Sequence, residues 1–179
     1  MKTLTLLRHA KSGWDDAVAR DFDRPLNPRG RRAARTIGRE MKALGLAFDS
    51  IVASPARRVI ETLEEVASAY GPLEPRFDER IYLAATDTLL QIVRESGDAA
   101  ERLLLVGHNP GLEMLALKLT RGAGRLRGEV EVKYPTATLA EIGFDVARWA
   151  DVRDGAGSLT RFIRPRDLDP ELGPDEDSY

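Results

Sequence analysis

The 179-residue chain has two histidines, and each follows a short apolar run. His9 stands in Leu6-Leu7-Arg8-His9-Ala10-Lys11-Ser12, and His108 in Leu103-Leu104-Leu105-Val106-Gly107-His108-Asn109-Pro110. A neutral imidazole can attack phosphorus and carry the group covalently. Arginine adds a planar, permanently charged fork that matches phosphoryl oxygens. Two imidazoles and Arg8 in one place would suit an anionic substrate, phosphate first of all. A second fork is sought in Ser54-Pro55-Ala56-Arg57-Arg58-Val59-Ile60-Glu61-Thr62, at a helix start whose free N–H groups already favour anions.

The elements that must gather these residues alternate. Residues 3–7 read as a buried strand, followed by a loop through Trp14, Asp15 and Asp16 to Pro25. Trp14 reads as a packing residue and the two acids as solvated charges. Asn27-Pro28 looks like an N-cap and first helical residue, with Ala33, Ile37, Met41 and Leu44 at helical spacing and Gly45 as the stop. Arg29, Arg31, Arg32, Arg35 and Arg39 read as a solvated face, and Asp23 with Arg24 as a structural pair before it. A strand is expected over 49–53, then a helix to about 70 with Ser54 as N-cap. An extended piece near Phe77, a helix over 86–95, a strand over 102–106 and a helix over 110–119 follow. Residues 120–128 read as a Gly/Arg loop, 137–144 and 158–163 as strands, with a further short strand around Trp149. This order predicts an α/β three-layer sandwich with a mostly parallel central sheet and helices on both faces. In such sheets ligands bind beyond the carboxyl ends of the strands, where both histidines fall.

Composition narrows the classes. The 27 Lys+Arg nearly balance 29 Asp+Glu, for a net charge of -2, which argues against a nucleic-acid binder. Without cysteine there is no disulfide or thiolate chemistry. No run approaches a membrane span or a signal peptide, so a cytoplasmic protein without membrane attachment is expected. Length suggests a single domain over 1–166. The stretch 167–179, with six acids and no base, is expected to be a mobile tail outside the core.

Arg8-His9-Ala10, Ser54-Pro55 with Arg58 and Thr62, and Gly107-His108-Asn109-Pro110 together resemble the histidine phosphatase superfamily, which includes the cofactor-dependent phosphoglycerate mutases. The stretches Leu7-Arg8-His9-Ala10-Lys11-Ser12, Asp23-Arg24-Pro25-Leu26-Asn27-Pro28-Arg29-Gly30 and Val106-Gly107-His108-Asn109-Pro110-Gly111 look most like the SixA-type phosphohistidine phosphatases. The likeness runs from about residue 3 to about residue 145 and implies a phosphoglycerate mutase-like fold. It implies that His9 is the phosphorylated nucleophile and that Arg8 and Arg58 clamp the phosphoryl oxygens. His108 would stabilise the transition state as imidazolium, and Ser12 would contact phosphate. Arg57 is the rival to Arg58, which the family spacing from Ser54 favours. No cofactor and no metal are implied.

Relatives that cleave phosphomonoesters add a carboxylic acid to protonate the poor alkoxide leaving group. One branch places it directly after the second histidine, where this chain has Asn109. Another places a glutamate between the second arginine and second histidine, and Glu79 lies in that interval. A phosphohistidine needs less help, because its P–N bond is labile and imidazole leaves readily. The expectation is a phosphatase acting on a phosphorylated protein, such as a histidine-phosphotransfer domain, through phospho-His9. The alternatives are a phosphomonoesterase or mutase for a small phosphorylated metabolite with Glu79 as acid, and a non-catalytic phosphate-binding module. The arginine-rich helix and the loop at 121–128 fit either an acidic phosphoprotein surface or plain solvation.

Overall fold

The computed structural model describes residues 1–13 and 20–173. Trp14, Asp15 and Asp16 lie outside the described residues, as does 174–179.

Among the described residues the apolar runs form one six-stranded sheet in the order β3-β2-β4-β1-β5-β6. Strands β1 (Lys2–Arg8), β2 (Ser50–Ala53), β3 (Arg76–Phe77) and β4 (Arg102–Gly107) run parallel. β5 (Leu139–Phe144) pairs antiparallel with β1, and β6 (Ser158–Ile163) antiparallel with β5. The sheet is thus mixed, with its parallel part around the two histidine-bearing strands. Alternate side chains of β1 and β4 go to opposite cores. Leu4, Leu6, Leu103 and Leu105 meet α3 (Thr86–Arg94), α4 (Gly111–Leu119) and α5 (Arg125–Val132). Leu7, Leu104 and Val106 meet α1 (Pro28–Ala43) and α2 (Arg57–Tyr70). Covering both faces is why these strands read as continuous apolar runs and not as alternating ones. Each fully buried Leu contributes about 2 kcal/mol of transfer free energy.

Local signals explain much of the framework. The Asn27 side chain accepts from the Gly30 N–H at 2.7 Å, and Pro28 opens α1. Gly45, at φ +66°, follows the last turn in a conformation only glycine adopts readily.

Several expectations need correction. Ser54 is not an N-cap, because α2 begins at Arg57 and the Ser54 hydroxyl faces His108 instead. The expected loop at 120–128 is half helix, since α5 starts at Arg125 and buries Val130 against the sheet. The segment at Trp149 is a 3-10 turn, not a strand. Asp23 pairs with Arg20 at 3.1 Å, whereas Arg24 pairs with Asp21. The α1 arginines are not merely solvated. Arg31 and Arg35 reach Glu65 of α2, and Arg31 also reaches Glu61. The acidic stretch starts later than expected. Residues 165–168 form α6 (Pro165–Leu168), Leu172 is buried in the α1/α2 core, and Arg32 pairs with Asp169 and Glu171. One apolar side chain and two ion pairs hold that segment down, which its net charge alone conceals.

Candidate active site

Register places the chemistry. Arg8 of β1 is aligned with Gly107 of β4, and Ala53 of β2 with Val106. The next residues are His9, His108 and Ser54, so the three emerge in a row at the carboxyl ends of adjacent strands. The ladder continues one step past the strands. His9 N–H donates to Gly107 O at 3.0 Å, and Ser54 N–H to Val106 O at 3.0 Å. The two imidazole rings are 5.2 Å apart, both largely buried.

Arg8, His9, Arg58 and His108 are brought together. Arg8 is buried and donates through Nη1 to the Tyr134 carbonyl at 2.8 Å. Arg58, on the first turn of α2, places Nη2 at 3.3 Å from Nδ1 of His108. Arg57 instead points outward to Glu61. The Thr62 hydroxyl ties the two halves. It donates to the Arg58 carbonyl at 2.6 Å and accepts the Ala10 N–H at 2.9 Å.

The hydrogen bonds fix the tautomers. A carbonyl only accepts, so the 2.7 Å contact from His9 Nδ1 to Ala10 O puts the proton on Nδ1 and leaves Nε2 bare. An arginine only donates, so His108 Nδ1 accepts from Arg58, and Nε2–H donates to Ser54 Oγ at 2.7 Å. Electrostatics agree. Burial, then the charge of Arg8, hold His9 well below the ordinary histidine value. Burial and Arg58 bring His108 down to about 3 against an opposing pull from Asp21. Both imidazoles are therefore neutral in the ligand-free protein. For both rings burial is the larger cause and the neighbouring guanidinium groups the smaller one.

The site has members that sequence reasoning missed. The Asp21 carboxylate accepts from Tyr82 at 2.6 Å, Arg24 at 2.9 Å and Arg58 at 3.1 Å. Despite its partial burial these donors hold it at about 2, so it is ionised and has no proton to give. The Tyr82 ring stands edge-on to His108 at 5.5 Å. Arg24 could have been suspected from the Asp23-Arg24-Pro25-Leu26 stretch, but nothing local marks Asp21 or Tyr82.

Ser12 and Glu79 are not brought into the cluster directly. The Ser12 hydroxyl accepts from Arg24 at 2.7 Å, one residue removed from Asp21. Glu79 is exposed at the start of a 3-10 turn. Asn109 serves the backbone at both ends, donating to Tyr134 O at 3.0 Å and accepting the Glu113 N–H at 3.2 Å. Glu113 itself is half-buried, which raises its carboxyl against the pull of Arg8. Among the described residues no group of three or more metal-ligating side chains is placed to hold an ion, and no helix is long and apolar enough to cross a membrane.

Known proteins share this arrangement. Residues 4–82 match the histidine phosphatase superfamily (branch 1). An uncharacterised protein of Mycobacterium tuberculosis is 36% identical over 163 residues, covering 89% of this chain and all of that protein. A structure assigned as the phosphohistidine phosphatase SixA from Nakamurella multipartitia superposes with a TM-score of 0.79 at 28% identity, over 92% of this chain and 96% of that one. Its counterpart from Agrobacterium tumefaciens gives 0.77 at 27% identity, over 92% and 98%. With two histidines and two arginines meeting at the strand ends, and with these relatives, the chain belongs to the histidine phosphatase superfamily.

Proposed function

We propose that the chain hydrolyses phosphohistidine on a protein through a covalent phospho-His9 intermediate. Superfamily membership and the likeness to SixA structures support a phosphatase. The observation that carries the finer reading is the state of the acids. Asp21, which touches Arg58, is held ionised, Asn109 is bound to backbone, and Glu79 is exposed. Such a site favours a leaving group that needs little protonation, as imidazole does and an alkoxide does not.

The geometry gives each residue its part. Arg8 and Arg58 draw the phosphoryl oxygens between them. His9 Nε2, bare and unprotonated, attacks phosphorus as the P–N bond to the substrate imidazole breaks, and that imidazole, already carrying a solvent proton on its other nitrogen, leaves neutral. The arriving dianion lifts the basicity of His108, whose Nδ1 then takes a proton from solvent, keeps it, and hydrogen-bonds a phosphoryl oxygen through it. Water next displaces the phosphoryl group from His9 as inorganic phosphate. A cytoplasmic setting is part of this reading.

The test is turnover of a histidine-phosphorylated histidine-phosphotransfer domain by wild type and His9→Ala. Loss of the nucleophile is expected to cost roughly 10³-fold or more, with no phosphoenzyme trapped. Wild-type turnover surviving in His9→Ala would refute the mechanism. A second reading, hydrolysis of small phosphomonoesters, is favoured by the burial-raised carboxyl of Glu113, which keeps a proton to higher pH than an ordinary glutamate. Efficient ester turnover that collapses in Glu113→Gln or Glu79→Gln would establish it in place of the first.

A further inference from the structure

A second cationic feature lies beside the nucleophile. Lys11, Arg29, Arg164 and Arg166 line a shallow pocket, with Thr136 on its wall and Leu172 among its apolar lining. It adjoins the active site through the backbone on two sides. Lys11 is two residues beyond His9, a span of at most about 7 Å. Thr136 precedes Ala137, whose N–H donates to the His9 carbonyl at 3.0 Å.

Its charge is balanced unevenly among the described residues. Arg164 is paired with Asp167 at 2.9 Å. Neither Arg29 nor Arg166 makes an ion pair or a side-chain hydrogen bond among the described residues. The contrast along α1 is informative. Arg31 and Arg35 meet glutamates of α2, Arg32 meets Asp169 and Glu171, and Arg39 meets Thr36. The α1 arginine without such a partner among the described residues, Arg29, is the one that lines the pocket. Three separate segments bring these cations to one pocket, whose Lys11 and Thr136 sides adjoin the backbone around His9.

We propose that this pocket binds an acidic side chain that flanks the phosphorylated residue on the substrate protein. The inference rests on the phosphohistidine-protein reading above and names how such a protein would be docked. The pocket's buried apolar lining, Ala33 and Leu172, suits the methylenes of a glutamate, and the guanidinium groups suit its carboxylate. Charges of this kind set partner choice more than chemistry.

The experiment compares Arg29→Glu, Arg166→Glu and the milder Arg29→Ala with wild type, using a histidine-phosphorylated histidine-phosphotransfer domain and, separately, phosphoramidate. The charge reversals are expected to raise KM for the protein about tenfold with kcat unchanged, and to leave both constants for phosphoramidate unchanged. Equal KM values for wild type and variants on the protein would overturn the inference alone, as would equal losses on both substrates. Failure of wild type on the phosphoprotein would overturn the parent reading and this inference with it. A chain ending at Gly173 supplies a further arm, because Asp175, Glu176 and Asp177 follow the pocket's Leu172 in sequence. If the reversals and the truncation both lower KM for the protein, the pocket holds the chain's own acidic terminus, and the inference falls.

Discussion

Asp21 meets Arg58 twice. Its carbonyl accepts from Nη1 at 2.8 Å, and its carboxylate pairs with Nη2 at 3.1 Å. The Nη2 that meets His108 is thus shared with a carboxylate that is itself secured by Arg24 and Tyr82.

Asp21→Asn keeps the shape and removes the charge. The Asp21 side chain is 33% exposed, so solvent screens the pair and the effect stays modest. We expect kcat/KM for phosphoramidate to fall roughly three- to tenfold, with partial recovery in Asp21→Glu. Steady-state kinetics on the three proteins decide it, and an unchanged kcat/KM would show that Arg58 keeps its aim unaided.

Thr62→Val removes a fully buried hydroxyl with little change in volume. The Ala10 N–H then has lost its acceptor, and the Arg58 carbonyl a side-chain donor beside its helical one. Leaving buried polar groups unpaired costs about 1–3 kcal/mol, to be read from urea unfolding. Because those groups flank His9 and belong to Arg58, kcat should drop with stability. A loss of stability at constant kcat would mean that the hydroxyl is structural only.

Stability should depend on pH through the two imidazoles. Both have folded-state values below the ordinary 6.5, so the unfolded chain binds their protons first. Their contribution is complete above about pH 6.5 and is lost as pH falls toward about 3 for His108. The slope is up to ~1.4 kcal/mol per pH unit for each histidine. Urea unfolding between pH 7 and pH 4.5 measures it, with the His9→Asn/His108→Asn double variant expected to show a flatter dependence.

Gly30→Ala tests the seat of α1. A Cβ there would stand 2.1 Å from the Lys11 carbonyl oxygen, a backbone atom with no room to swing aside. Separation of α1 from the loop after His9 should cost ~2–4 kcal/mol in chemical denaturation. A change below 1 kcal/mol would mean that the loop yields freely.

The readable parts of the sequence were those with local signals. Asn27-Pro28 and Gly45 bracket α1 by capping chemistry, and the runs before His9 and His108 had to be strands buried on both faces. The three-layer architecture followed from their alternation with helices. Ser54 misled because a serine before a proline looks like a cap, whereas its hydroxyl is taken by His108 across the sheet. Asp21 and Tyr82 are 61 positions apart in sequence, and no periodicity links them. Residues 167–173 were misjudged by charge, since the decisive features are one buried leucine and cations on a distant helix. Tertiary partners set these outcomes, and a linear pattern does not carry them.

Strand order has a consequence for the newly made chain. β4 lies between β1 and β2, although both precede it in sequence. Until residues 102–107 insert, His9 and the helix bearing Arg58 are separated by an empty strand position, and the second imidazole has not arrived. A chain without β4 in place therefore holds His9 and Arg58 apart, with no second imidazole between them. The two histidines and Arg58 share one place only once β4 is seated between its two earlier neighbours.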